Sequence, residues 1–166
     1  MNRRHFLALT PAVLFAGCGF QLRRSGGVPF ATLYLDASPA STVAQRLRNL
    51  LAANGSTRLT DTPAEAEAVL KLQRDERTKT ILSLSGAGRV TEYRLTLKLQ
   101  YSLSGRDAQV LATESIELTR DFTYDDSQLL AKGAEEALLY RDLDDAAAQR
   151  ILRRLQAIAP DAGGRR

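Results

Sequence analysis

Apolar and polar residues alternate most regularly over residues 93–103 of this chain. Leucines and tyrosines occupy every second position there, and polar side chains stand between them. A period of two places each set on its own face of a β-strand, whereas a helix would scatter the apolar set around its surface. The pattern therefore predicts a strand with one face in the core and the other in water.

A second alternating segment, residues 110–124, predicts the antiparallel partner of that strand. Residues 104–107 between the two segments read Ser-Gly-Arg-Asp, which is typical of a turn. The even positions of the second segment are expected to line one face with Val110, Ala112, Ile116, Leu118, Phe122 and Tyr124. The two segments together predict a long hairpin.

Two earlier segments also have the character of strands. Residues 32–36 place two leucines on one face, and residues 68–73 begin another strand. Residues 74–79 continue that strand with mostly charged side chains, so we expect a solvated surface that includes Arg74, Arg77 and Lys79. Residues 85–89, Ser-Gly-Ala-Gly-Arg, are interpreted as the turn to the next strand.

Helical spacing follows the first strand. Ser38 or Ser41 can cap a helix that runs to about Asn54, where the following Gly55 favours a left-handed ending. The apolar residues on one face of this helix are Val43, Leu47, Leu50 and Leu51.

A second helix is predicted after the capping residues 125–127, and it is expected to end at Pro160. Its apolar positions are Leu143, Ala147, Ile151, Leu155 and Ile158. Gly133 and the acidic residues 142–145 have low helix propensity, so they are points at which this helix can bend or break.

The order of these elements is β-α-β-β-β-α. A sheet with one apolar face can bury that face under two amphipathic helices. The sequence therefore predicts an α+β two-layer sandwich, in which a four-stranded, mostly antiparallel sheet carries both helices on one face.

The first residues of the chain have the parts of an export signal. Basic residues precede a mostly apolar run, residues 6–16, which is much shorter than the roughly 20 apolar residues that span a bilayer. Residues 15–18, Phe-Ala-Gly-Cys, resemble a bacterial lipobox, so we expect cleavage before Cys18 and lipidation of its thiol. Phe15 stands where a lipobox usually has Leu, which leaves a non-lipidated periplasmic protein as the alternative.

The position after Cys18 is Gly19 rather than Asp, which favours the outer membrane over retention at the inner membrane. The segment Arg3-Arg4-His5-Phe6-Leu7 also resembles a twin-arginine signal, so the general secretory and twin-arginine routes both remain open.

The chain is expected to comprise a signal peptide, a lipid-anchored tether, a single α+β domain and a flexible C-terminal tail, at residues 1–17, 18–30, 31–159 and 160–166. Two of the 23 basic residues lie in the signal, which leaves 21 against 19 acidic residues and a net charge of +2. This near balance gives no indication of a nucleic-acid partner.

The residues that catalysis needs are scarce. The single histidine, His5, lies in the signal, and Cys18 is blocked if it is lipidated. The pairs Glu135-Glu136 and Asp144-Asp145 are adjacent in sequence, so they point in different directions on a helix and are interpreted as solvated. We expect no enzyme activity, no cofactor and no metal site.

Several short motifs resemble the LptE family of LPS-assembly lipoproteins. They are the Gly-Phe-Gln-Leu-Arg run after Cys18, the Thr-Glu-Tyr at residues 91–93, the Leu-Ala-Lys at residues 130–132, and residues 148–155. Each motif is weak alone, but their order and spacing match the family from the signal to about Ile158.

This resemblance implies an outer-membrane lipoprotein, anchored on the periplasmic side, that plugs the β-barrel LptD, helps it to assemble and assists lipopolysaccharide insertion at the cell surface. It also implies lipopolysaccharide contacts by basic residues in two motifs. Lys132 matches the second motif directly. Gly86 stands at the basic position of the first motif, so Arg89 is a nearby substitute, and both cations can instead be ordinary surface charges.

Two other functions remain open. The same fold can serve as a lipoprotein adaptor that binds soluble envelope proteins without lipopolysaccharide. A lipid-processing enzyme is the third hypothesis, although it would have to work without a histidine in the mature chain.

Overall fold

A computed structural model describes residues 27–158 of the chain. The export signal, Cys18 and Pro160 lie outside the described residues. The helices and strands are β1 (Thr32–Asp36), α1 (Thr42–Asn54), β2 (Arg58–Leu59), β3 (Ala68–Leu84), β4 (Val90–Gly105), β5 (Val110–Thr123) and α2 (Leu129–Ala157). Short 3₁₀ turns at Pro63–Glu65 and Asp126–Gln128 precede β3 and α2.

The strands form one mixed sheet in the order β2-β1-β3-β4-β5. Strand β1 lies between β2 and β3 and runs parallel to both, while β3, β4 and β5 form antiparallel hairpins. The predicted α+β class is confirmed, with five strands in place of four. The additional strand, β2, has only two residues, which is too short for any alternation to indicate it.

Both predicted helices are present. In α1, the Ser41 hydroxyl accepts a hydrogen bond from the backbone N–H of Ala44, and Gly55 closes the helix at φ +67°. Helix α2 runs without interruption through Gly133 and residues 142–145 to Ala157, so neither predicted weak point breaks it. Among residues 27–158, no helix has the length and hydropathy needed to cross a membrane.

The core lies between the sheet and the two helices. The alternating leucines of β4 are at most 1% exposed, and they meet the apolar face of α2 from Leu143 onward. Helix α1 contributes four further buried residues beside them, Val43, Ala44, Leu47 and Leu51. The alternation therefore identified the helix-covered face of β4 correctly.

An irregularity in β3 changes which side chains face the helices. Leu72 pairs with Tyr101, but Arg74 pairs with Gln100, so one extra residue lies between them. Beyond this point the side chains of Arg77 and Lys79 share a face with the buried leucines of β4, because the extra residue inverts the period of two. Both residues are still exposed, with 29% and 31% of their side chains accessible. The predicted solvated surface therefore holds for these two as it does for Arg74, whose side chain is 57% exposed, but Arg77 and Lys79 lie on the helix-covered face.

Candidate functional site

The tip of the β3–β4 hairpin and the start of α2 meet at one end of the molecule. The backbone N–H of Tyr124 donates to the carbonyl of Thr91 over 2.9 Å, which joins the end of β5 to the base of the hairpin turn. Between them lies a cleft of about 440 Å³, here called the tip cleft. Its lining residues are Ser85, Ala87, Arg89, Val90, Thr91, Tyr124, Asp125, Asp126 and Ser127.

The predicted turn at residues 85–89 holds Arg89 at this cleft. Gly88 adopts φ +74°, a conformation that favours glycine, and its N–H donates to the Ser85 carbonyl. Arg89 is exposed, as expected for a residue that contacts a ligand. Its surroundings are of mixed charge, because Asp125 and Asp126 line the same cleft.

Hydrogen bonds within the tip cleft favour the ionised form of the Asp125 carboxylate. The backbone N–H and the hydroxyl of Ser127 both donate to its carboxylate, at 2.9 and 2.8 Å, and these bonds lower the pKa of Asp125. The tip cleft therefore presents one guanidinium beside ionised carboxylate rather than a cluster of cations.

Lys132 lies near this end but outside the lining of the tip cleft. Its ammonium donates to Glu135 Oε2 at 2.8 Å and to Thr123 Oγ1 at 3.3 Å, and only 14% of its side chain is exposed. The structure thus brings Arg89 and Lys132 to one end of the molecule, but it does not place both in one cavity. Lys132 is also not the freely solvated residue that the alternative interpretation assumed.

A third cation, Lys79 on β3, contacts the start of α2, and the sequence indicated only a solvated position for it. Its Nζ donates to Glu136 Oε2 over 2.6 Å and stands 4.1 Å from the ring centroid of Tyr93. The rings of Phe122 and Tyr124 are each 5.6 Å from the same ammonium. We call these three rings the aromatic cluster. The shift of register in β3 carries no clear mark in the sequence, so this arrangement was not visible there.

A polar network ties both helices to β3 further along the strand. Asp144 on α2 is 5% exposed, and its two carboxylate oxygens accept from Arg77 at 2.6 Å and from the Thr42 hydroxyl at 2.7 Å. Arg77 also donates to Asp75, which accepts from Ser41. The interpretation of Asp144 as solvated is wrong.

The neighbour of Asp144 behaves as expected. Adjacent helix positions do point in different directions, so Asp145 faces outward, where it pairs with Arg46 and stays 47% exposed. The network therefore uses one carboxylate of this pair to join α1, β3 and α2.

The face of the sheet opposite the helices is polar along its length. We call it the open sheet face. Arg94 binds both oxygens of Asp121 at 2.7 Å across the β4–β5 pair, and these bonds lower the pKa of Asp121. Lys98 lies opposite Glu117, with 3.5 Å between Nζ and Oε2. Opposite charges are thus matched within the face itself.

Residues 30–155 match the family described as LptE, Lipopolysaccharide-assembly. The LPS-assembly lipoprotein LptE of Pectobacterium atrosepticum is 32% identical over 95% of this chain and 88% of its own length. The protein of that name from Photorhabdus laumondii is also 32% identical, over 92% of this chain and 85% of its own length.

Two solved structures have the same fold. Lipoprotein B of Nitrosomonas europaea superposes with a TM-score of 0.72 and 34% identity, over 84% of this chain and 92% of its own. The rare lipoprotein B of Shewanella oneidensis does so with a TM-score of 0.66 and 28% identity, over 75% and 92%. The chain belongs to the LptE lipopolysaccharide-assembly family.

Proposed function

We propose that this protein is an outer-membrane lipoprotein of lipopolysaccharide assembly, that it is anchored through Cys18, and that it sits as a plug inside the β-barrel LptD. It helps the barrel to assemble and assists the insertion of lipopolysaccharide at the cell surface. Family membership supports the role in assembly. The barrel partner, the anchor and the outer-membrane location are the more specific parts of the proposal.

The open sheet face is the observation that most supports a plug. It extends along β3, which has 17 residues, and at about 3.3 Å per residue this corresponds to roughly 55 Å. The interior of a large membrane barrel is polar and is often filled by another element. A long face whose charges are already paired can enter such an interior without leaving unpaired charges against the wall.

The two ends of the sheet suit different surroundings. The described chain begins beside the start of β1, where the Val28 N–H donates to Ser56 Oγ at 3.0 Å. The hairpin tip lies at the far end of β3. With Cys18 held in the membrane, the tether ends at the β1 end, so the tip and Arg89 extend away from the point of attachment.

Lys132 and Arg89 are the proposed lipopolysaccharide contacts. Each can form charge-assisted hydrogen bonds to phosphate, worth about 1.5–3 kcal/mol each. Arg89 is available as it stands, whereas Lys132 has to exchange its contacts with Thr123 and Glu135. The proposal therefore gives Arg89 the first contact.

Site-specific photocrosslinking tests the plug directly. A photoreactive residue at Lys98 or Thr119 on the open sheet face, or at Ala87 in the hairpin turn, should capture one large outer-membrane protein that is identified as the barrel. Exposed Ala53, in the last turn of α1, is the control for accessibility. Capture of soluble periplasmic proteins alone at the first three positions would contradict the plug and favour the adaptor function.

A further inference from the structure

Residues 129–138, the first ten of α2, have an inverted arrangement of apolar and charged side chains. Only three residues of the segment are partly covered, and all three carry a charge: Lys132, Glu135 and Glu136. The leucines face outward instead, with Leu129 62%, Leu130 90% and Leu138 56% exposed. Since most helices in proteins are stabilised by burial of an apolar face, these ten residues gain little from their leucines.

The contacts that hold this segment to the sheet are polar. Glu136 accepts from Lys79, and Lys132 donates to Thr123. The inner face of α2 becomes apolar only afterwards, where Leu139 packs against the core and Leu143 is fully buried. Gly133 further lowers the helix propensity of the segment, because it loses more backbone entropy than other residues.

Beneath the segment lie groups that suit an anionic amphiphile. Lys79 rests on the aromatic cluster of Tyr93, Phe122 and Tyr124, and Glu136 neutralises it from above. Lys132 belongs to the segment itself and pairs there with Glu135, so that pair moves with the segment. In the closed arrangement the segment's own glutamates occupy both amines.

We propose that residues 129–138 open as a unit, while α2 from Leu143 onward stays docked. Opening removes Glu136 from Lys79 and Lys132 from Thr123, and it uncovers the aromatic cluster. The uncovered surface combines an ammonium for a phosphate with apolar rings for an acyl chain. This part of the inference rests on the proposed function, in which the ligand is lipopolysaccharide, whereas the opening itself does not.

Hydrogen exchange on the full-length protein tests the opening without any ligand. Regions that open locally exchange faster than the core, so the amides of residues 133–138 should exchange at least about tenfold faster than those of residues 147–155. Equal protection of the two segments would overturn the proposal.

A variant of Lys79 tests which contact keeps the segment closed. Lys79→Met removes the ion pair that joins β3 to the segment, and it should raise exchange at residues 133–138 about fivefold. Lys98→Met is the matched control, because it removes a strand lysine paired with Glu117 on the other face of the sheet, and it should leave both segments unchanged. Glu136→Gln, which keeps Lys79 in place, should act like Lys79→Met. A uniform rise along all of α2 in both variants would indicate global destabilisation and would overturn the proposal.

Purified lipopolysaccharide then tests the link to a ligand. If it binds the open form, exchange at residues 133–138 should rise further while residues 147–155 do not change. Binding without any change at residues 133–138 would show that opening does not serve the ligand. An absence of binding would contradict the proposed function, and the exchange measured without ligand would still decide whether the segment opens.

Discussion

The two parts of helix α2 share one continuous backbone but are stabilised in opposite ways. From Leu143 to Leu155 the inner face is apolar and fully buried, apart from Asp144. From Leu129 to Leu138 the inner face is charged and the leucines lie outside. Helical hydrogen bonding is therefore no guide to how firmly a segment is attached. In this protein the attachment follows the chemistry of the inner face.

Truncation of matched apolar residues in the two parts should give the largest difference. Ile151 is 0% exposed, so Ile151→Ala should lower the free energy of unfolding by about 3 kcal/mol through lost burial and a new cavity. Leu138→Ala removes a side chain that is 56% exposed, and it should change that free energy by less than about 0.5 kcal/mol. Urea denaturation monitored by circular dichroism measures both. Similar losses for the two variants would contradict the comparison.

Breaking the polar network should have the next largest effect. Arg77→Met leaves the buried Asp144 with only the Thr42 hydroxyl, and it should lower the free energy of unfolding by about 2 kcal/mol, since Arg77 itself is partly solvated. Combining it with Asp144→Leu should restore most of the loss, because no buried charge then remains unpaired. A double variant that is less stable than Arg77→Met would show that the network does more than neutralise Asp144.

Charge reversal near the tip should affect binding far more than stability. Arg89→Asp combined with Lys132→Asp should weaken binding of purified lipopolysaccharide about a hundredfold, through two lost charge-assisted contacts. The same variant should lose no more than about 1 kcal/mol of stability, at the Lys132 pair. This expected loss of stability is slightly larger than that of an exposed substitution, because the side chain of Lys132 is only 14% exposed.

A control with the same change in net charge uses two exposed basic residues elsewhere. Arg106 lies in the β4–β5 turn and Arg153 lies on α2, so reversal of both tests the effect of charge alone. Binding by the control should remain near the native affinity. If the two double variants bind equally well, Arg89 and Lys132 are not contacts for this ligand. Raised ionic strength should weaken native binding as well, since exposed charges are screened.

The sequence predicted the parts of the fold that follow one period throughout. The alternation in β4 and in β5 from Ala112 onward, the cap at Ser41 and the glycine after α1 all had local causes, and each is confirmed. The expectation that Val110 lies on the same face as Ala112 is wrong: Val110 pairs with Ser104 across a shift of register and is 63% exposed. The shift of register in β3 has no such cause, because a single extra residue leaves no mark in composition. Its consequence was that the contacts of Arg77 and Lys79 with α2 were not foreseen, although both residues are exposed as expected.

The start of α2 was harder to predict for a different reason. A helix whose charged residues face the sheet has the same sequence pattern as one whose charged residues face water. Two tertiary contacts show that the charged residues face the sheet. Glu136 accepts from Lys79 on β3, 57 residues away in sequence, and Lys132 donates to Thr123 on β5. The candidate Lys132 was thus identified through a motif, while its covered position depended on tertiary structure.

The order of the elements along the chain has a consequence for folding. Strands β3, β4 and β5 are joined by short turns, so their hairpins can form early, whereas contacts between distant residues form slowly. The bond from Thr42 to Asp144 closes a separation of 102 residues. The leucines of β4 therefore remain without the cover of α2 until residues 129–157 have been synthesised and docked, and a nascent or truncated chain presents them to any chaperone that binds apolar strands.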